Sequence, residues 1–264
     1  MSIDLRGRTA LVTGSTQGIG RAIVVRLAQA GADVVVNGRT GERVEATVAA
    51  VRDAAPGATV RGVAADVADD DGAAHLLAEL PSVDVLVNNL GIFAPTPVLE
   101  IDDAQWRRYF EVNVLAGVRL TRSYLPGMME RGFGRVLSIS SDSSVVTPLE
   151  MVHYGVTKTA QLAVTRGFAK AAAGTGVTVN SVLAGPTHTG GVEDFVADMV
   201  GDDLPWDERQ RKFMLEHRPQ SLLQRLIEPS EIANMVAYLS SDLASATTGA
   251  AVRVDGGYVD SILP

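Results

Sequence analysis

Seven short runs rich in β-branched and small apolar residues punctuate this chain, and a helical pattern separates most consecutive pairs. The runs are Thr9–Thr13, Asp33–Asn37, Val60–Ala65, Val83–Asn88, Arg135–Ser140, Val177–Leu183 and Ala250–Val254. Several, such as Val34-Val35-Val36, are apolar at every position, the pattern of a strand covered on both faces. Helices are expected over Gly20–Ala30, Glu42–Ala54, Asp70–Leu80, Asp102–Arg131, Met151–Gly174 and Ser230–Ser240. Asp102 and Pro229-Ser230-Glu231 supply helix-start signals. Strands of this kind joined by helices form βαβ units, so the expectation is α/β: one doubly wound domain over residues 1–264, with a seven-stranded parallel sheet and helices on both faces.

Composition narrows the partners. With 46% apolar and 20% charged residues the chain can build a large core. A net charge of −8 and the lack of a basic cluster argue against nucleic acid and anionic membranes as partners. Without cysteine there is no disulfide, thiolate nucleophile or Cys-ligated zinc, and no metal site is expected. The stretch Met1-Ser2-Ile3-Asp4-Leu5-Arg6 lacks a signal-peptide core, and no apolar run reaches membrane-spanning length, so a cytoplasmic location is expected.

The first strand runs directly into Gly14-Ser15-Thr16-Gln17-Gly18-Ile19-Gly20 and then a helix. Glycines there permit a tight turn, and the helix N-terminus brings backbone N–H groups and partial positive charge to a pyrophosphate. The second strand ends Val36-Asn37-Gly38-Arg39-Thr40, with no carboxylate to bond a ribose 2′-hydroxyl. Arg39 offers a planar cationic fork suited to a 2′-phosphate, so NADP(H) is the expected cofactor. NAD(H) is the alternative, with Arg39 then a solvated turn residue.

Tyr154 and Lys158 stand at i and i+4 of one expected helix and share a face. A phenol is a poor base near neutrality, but a neighbouring ammonium favours its anion and prepares it for proton transfer with an alcohol or alkoxide. The spacing is common by chance; Ser138-Ile139-Ser140-Ser141 gives it company. Ser141 closes the preceding strand thirteen positions before Tyr154, at the edge where such sheets bind ligands.

Taken in order, Thr13-Gly14-x-x-x-Gly18-Ile19-Gly20, Asp66-Val67, Asn88-Asn89-Leu90-Gly91, Asn113, Ser141, Tyr154-x-x-x-Lys158 and Gly185-Pro186-Thr187-x-Thr189 resemble the short-chain dehydrogenase/reductase family, 3-oxoacyl-[acyl-carrier-protein] reductase-like members among them. The resemblance spans essentially the whole chain and implies a Rossmann-like fold. It implies a catalytic tetrad in which Tyr154 is the acid/base and Ser141 bonds the substrate oxygen. Lys158 would bond the nicotinamide ribose and lower the tyrosine pKa, and Asn113 would hold a relay water. For the cofactor it implies Gly14, Ser15, Thr16, Gln17, Gly18, Ile19 and Gly20 at the pyrophosphate, Arg39 at the 2′-phosphate, and Asp66 and Val67 beside the adenine. Asn89 and Gly91 would support the cofactor, with Pro186, Thr187 and Thr189 near its pyrophosphate and carboxamide. One departure stands out: Leu90 replaces the family's usual alanine, so packing beside the cofactor must differ.

The expected activity is hydride transfer between NADP(H) and a small carbonyl or alcohol, a 3-oxoacyl thioester or other ketone among the choices. A cofactor-sensing protein without catalysis is the rival from another class. Substrate choice falls to residues around the tetrad. Asp142 could recognise a hydroxyl-rich or cationic substrate, or bond Ser143 and Ser144 in a turn. Glu150 and His188 are further polar outliers, whereas His153 projects away from the Tyr154 face and is expected to pack or meet solvent. The segment 185–221 mixes apolar, glycine, proline and charged residues, as a lid does, and as a surface excursion also does. Thr248-Gly249 and Asp255-Gly256-Gly257-Tyr258 resemble the family's C-terminal segment, from which a homotetramer or homodimer is expected.

Overall fold

Alternation along the strands decides the architecture of residues 3–262, which the computed structural model describes; Met1 and Ser2 of the amino-terminal stretch, and residues 263 and 264, lie outside the described residues. The strands are β1 (Thr9–Val12), β2 (Asp33–Gly38), β3 (Val60–Ala64), β4 (Val85–Asn88), β5 (Gly134–Ser141), β6 (Val177–Ala184) and β7 (Ala251–Val254). In β1, Ala10 and Val12 join one core cluster and Leu11 another; β2 separates Val34 and Val36 from Val35, and β4 separates Val85 and Val87 from Leu86. A sheet apolar on both faces must be covered on both.

The helices are α1 (Gly18–Gln29), α2 (Gly41–Ala54), α3 (Asp70–Glu79), α4 (Asp103–Phe110), α5 (Ala116–Glu130), α6 (Val152–Ala171), α7 (Gly190–Val200), α8 (Trp206–His217) and α9 (Pro229–Ser240). Helices α1, α2 and α9 bury Ile23, Leu27, Val48 and Val236 against one face. Helices α3, α5 and α6 bury Leu76, Leu120, Met128 and Ala169 against the other. All pairings are parallel, in the order β3-β2-β1-β4-β5-β6-β7. The chain builds outward from β1 to β3, then crosses back to begin at β4. That reversal opens a crevice at the carboxyl ends of β1 and β4, where a doubly wound sheet binds its ligand.

Two stretches depart from the sequence expectation. The helix expected over Asp102–Arg131 begins as foreseen, with an Asp102–Gln105 capping box, but passes through a π turn at Glu111–Leu115 before α5 continues. Tertiary bonds account for the turn. The Asn113 side chain accepts from Ile92 N at 2.8 Å and donates to Ile92 O at 3.1 Å and Thr157 Oγ1 at 3.0 Å, while the Asn113 backbone carbonyl accepts from Gln161 Nε2 at 2.5 Å. Apolar periodicity in sequence cannot report a change that such bonds impose. The 185–221 segment, expected as a mixed stretch that a lid or a surface excursion could form, folds into α7 and α8. Phe195, Val196, Phe213 and Met214 of this hairpin form a third apolar cluster with Met151 and Leu226, against which Tyr154 packs.

Candidate active site

The glycine-rich turn is held from both sides. Asn89 Nδ2 donates to Thr13 O at 2.9 Å and Gly14 O at 3.1 Å, and Thr13 Oγ1 accepts from the N–H groups of Asn89 and Leu90, each at 3.0 Å. Ser15 N donates to Asn37 O at 2.8 Å. Gly14 and Gly18 have φ of +59° and +52°, which a side chain would strain. A Cβ at Gly20 would come within 2.5 Å of Asn89 Nδ2 and 2.6 Å of Gly14 O. Helix α1 then starts with no side-chain cap from Gln17 and no acid in its first turn. Its first N–H groups are thereby free to meet an anion. Helix α7 likewise starts uncapped at Thr189, whose methyl group packs beside Gly18. The two helix N-termini face a common cleft of about 910 Å³.

The far end of this cleft holds Arg39, Asp66 and Val67, as expected, together with Arg43. Arg43, in the first turn of α2, lies four residues after Arg39 and donates to the Gln17 side chain. Sequence reading overlooked it, although a second arginine so soon after the strand end was a legible signal. Asn37 lines the cleft as a buried brace: it donates to Val63 O at 3.2 Å and Ala65 O at 3.1 Å and accepts from Gly14 N at 3.4 Å. Asp66 Oδ1 accepts from Ala68 N at 3.1 Å, shaping the turn after β3. Leu90 lines the cleft and contacts the Gly14 turn, a snug fit for the bulkier residue. Pro186 and His188 are pinned to Ile227 by backbone bonds of 2.8 Å, and the Thr187 hydroxyl is spent on Gly185 O at 2.8 Å.

At the near end the cleft meets a second cavity of about 200 Å³, and Ser141, Tyr154 and Lys158 all line it. Asn113 lies just behind: the place a Cβ on Gly91 would occupy is 3.5 Å from both Asn113 Oδ1 and Lys158 Nζ. The structure therefore brings together all four members of the expected tetrad. Lys158 is buried, with Nζ donating to Ile139 O at 2.8 Å and lying 5.5 Å from the Tyr154 ring centroid. Burial lowers its pKa to about 8. The expectation that Lys158 lowers the tyrosine pKa is not met by this arrangement. Burial pushes the Tyr154 phenol well above its ordinary value, outweighing a hydrogen bond with Ser141, and Asp142 and Tyr109 push the same way. Desolvation wins because the phenol is enclosed and Lys158, which gives up its own proton first, adds no opposing pull.

Ser141 donates to Asp142 Oδ1 at 2.8 Å and accepts from Ser143 N at 3.1 Å. Asp142 is buried, accepts a second hydroxyl from Ser143 at 3.3 Å, and lines the smaller cavity. Of the turn bonds expected for Asp142, the one with Ser143 forms, whereas Ser144 donates instead to Ser141 O at 2.6 Å. Burial raises its carboxyl to about 6, against the opposing pull of Ser141 and Arg218. Arg218, from the end of α8, also lines the cavity and pairs with Glu150 at 3.2 Å. Nothing local marked Arg218 in the sequence. His153 is fully buried, packed on Tyr109 at 3.8 Å between ring centroids, with neither ring nitrogen partnered; packing, not chemistry, is its place. His188 bonds Glu193 at 2.7 Å and stacks on Trp206. Phe93, Val192, Phe195 and Phe213 give the cavity an apolar side.

Comparison with known proteins agrees with this geometry. The family described as enoyl-(acyl carrier protein) reductase matches residues 14–259. An oxidoreductase of Bacillus subtilis (strain 168), YvaG, described as uncharacterized, is 48% identical over 99% of this chain and 100% of its own length. The 3-oxoacyl-[acyl-carrier-protein] reductase FabG of Aquifex aeolicus is 33% identical over 97% of this chain and 99% of its own. Among solved structures, L-sorbose reductase from Gluconobacter frateurii, complexed with NADPH and L-sorbose, superposes with a TM-score of 0.92 at 30% identity, covering 99% of this chain and 100% of that one.

Proposed function

Because the chain belongs to the short-chain dehydrogenase/reductase family and is an NAD(P)-dependent oxidoreductase, we propose that it exchanges hydride between NADP(H) and a carbonyl or carbinol carbon, with Tyr154 passing the proton. The observation that carries this reading is the convergence of the Ser141 and Tyr154 side chains on one small cavity that adjoins the dinucleotide-sized cleft. Two hydroxyls at one point suit a carbonyl oxygen that gains charge as hydride arrives.

The cleft fits the cofactor end to end. The Gly14–Gly20 turn and the start of α7 would hold the pyrophosphate, Arg39 and Arg43 a 2′-phosphate, and Asp66 and Val67 the adenine. Lys158 would meet the nicotinamide ribose, and Asn89, Gly91, Pro186, Thr187 and Thr189 would surround the nicotinamide. The bound cofactor supplies or accepts the hydride. A phenol with a raised pKa is protonated at neutral pH, so Tyr154 is poised to donate to an alkoxide as it forms. Ser141 would share that oxygen, and Asn113 would link Lys158 to a relay water. Helices α7 and α8 are read as a lid, since their apolar cluster reaches Tyr154. The preference for NADP(H) over NAD(H) rests on the paired arginines and on residues 37–40, which bring no carboxylate to the end of β2.

Among the described residues no helix is long and apolar enough to cross a membrane. A cytoplasmic homotetramer or homodimer is the assembly we favour, with partly open β7 at the sheet edge available to a second subunit. The test is Tyr154→Phe, assayed by NADPH absorbance with a panel of ketones. Turnover should fall by roughly 10²–10⁴-fold, the usual worth of general acid catalysis, while NADPH binding by fluorescence persists. Undiminished turnover would refute the assignment.

A further inference from the structure

The wall of the smaller cavity carries more polarity than a hydride-transfer site for a plain ketone requires. Asp142 follows Ser141 directly and receives its hydroxyl, and both recorded hydroxyl bonds converge on a single carboxylate oxygen, Oδ1. Arg218 reaches the same cavity from α8, with 12% of its side chain exposed. Its position is enforced from several sides: Nη2 donates to Glu150 at 3.2 Å, Nη1 donates to His217 O at 2.7 Å, and its guanidinium lies 5.3 Å and 5.8 Å from the ring centroids of Phe213 and Tyr258. Those bonds use two of the five N–H donors of the fork. An enclosed carboxylate and guanidinium are costly beside Phe195 and Phe213, and an acyl chain would gain nothing from either.

Charge selects among polar ligands. Arg218 opposes a cation, whereas Asp142 and Glu150 oppose an anion. A neutral hydroxyl suits both walls because it donates to the carboxylate and accepts from the guanidinium at once. Position then fixes which hydroxyl. Asp142 is one hydrogen bond removed from Ser141, which would hold the reacting oxygen, so the group it meets belongs on the carbon beside the reacting one. Phe93 and Phe213, which also line the cavity, suit the C–H face of such a molecule. Resting on the hydride-transfer reading above, we propose that the substrate is a small α-hydroxy carbonyl compound or its vicinal diol, held by Asp142 and Arg218 through the hydroxyl next to the reacting carbon.

The test compares hydroxyacetone with methoxyacetone, which has a similar pull on its carbonyl but no hydroxyl proton, following NADPH oxidation. Sites built to bond a substrate hydroxyl reject an analogue lacking it, so kcat/KM should favour hydroxyacetone by ~100-fold or more in the native protein. That ratio should collapse toward one in Asp142→Asn and in Arg218→Met, a readout that loss of folding alone would not move. Equal use of the two ketones by the native protein overturns the inference without touching the reductase reading, and needs no variant. So does a ratio unchanged in both variants, or a preference for an acetoacetyl thioester over hydroxyacetone. A native protein that binds NADPH yet turns over no ketone refutes both readings.

Discussion

Replacing Asp142 with Asn removes an ionisable group from a place that penalises ionisation. Burial raises this carboxyl from 3.8 to about 6, although Ser141, Ser143 and Arg218 all pull the other way. The shift is about 2 units, which at ~1.4 kcal/mol per unit amounts to about 3 kcal/mol. The sign follows from proton affinity. Because the folded pKa lies above the unfolded one, the folded chain binds the proton more tightly. This contribution to stability is complete below about pH 4 and is lost as the pH rises toward and through 6. The Asp142→Asn variant cannot titrate there, so its stability relative to the parent should climb over the same window. Urea unfolding of both proteins from pH 4.5 to 7.5 should show about 2 kcal/mol of relative gain by the variant, since the rest accrues below pH 4.5. Only the pH-dependent part of the difference matters, because the amide also changes hydrogen bonds at every pH. A flat difference, or one that falls with pH, would mean that Asp142 ionises as freely in the fold as in water. The enclosed polar wall would then be wrong.

Three other outcomes follow from the geometry. Arg39→Ala and Arg43→Ala should each weaken NADPH binding by roughly tenfold or more, the worth of a hydrogen bond to a charged group, while NADH titrations measured by fluorescence change little; equal losses for both cofactors would refute 2′-phosphate recognition. His153→Phe should hold or raise the melting temperature, because it removes two buried ring nitrogens that have no partner, each carrying a desolvation cost of about 1–3 kcal/mol; a clear loss would reveal a partner for one of them. In the reductive direction kcat/KM should fall as pH rises through about 8, where Lys158 loses its proton, and a profile level to pH 10 would separate the lysine charge from catalysis.

Much of this molecule was legible because the physics involved is local. The strands announced themselves as apolar runs because each position of a two-faced strand meets a helix, and Val34-Val35-Val36 splits between two clusters as that reading requires. The glycines of the Gly14–Gly20 turn were legible because positive φ at Gly14 and Gly18 and close approach at Gly20 disfavour any side chain. Tyr154 and Lys158 were paired by helix geometry alone, and Ser141 by its place at a strand end.

Other features depend on what packs against what. Arg218 enters the cavity 77 positions after Ser141 because α7 and α8 fold back over the start of α6. The π turn at Asn113 exists because Ile92, Thr157 and Gln161, distant in sequence, claim its hydrogen bonds. Proton affinity is the sharpest case. From the sequence, an ammonium one turn away should ease ionisation of Tyr154, yet in the fold Lys158 bonds Ile139 O and the enclosed phenol holds its proton more tightly. The amino-acid sequence by itself determined the parallel sheet and the glycine-rich turn, which rest on patterning along the chain, and its family resemblance singled out the side chains proposed to react. Only the tertiary structure decided how tightly these groups hold their protons and which polar groups wall the cavity, because desolvation is set by every element that closes around a group, not by its neighbours in sequence.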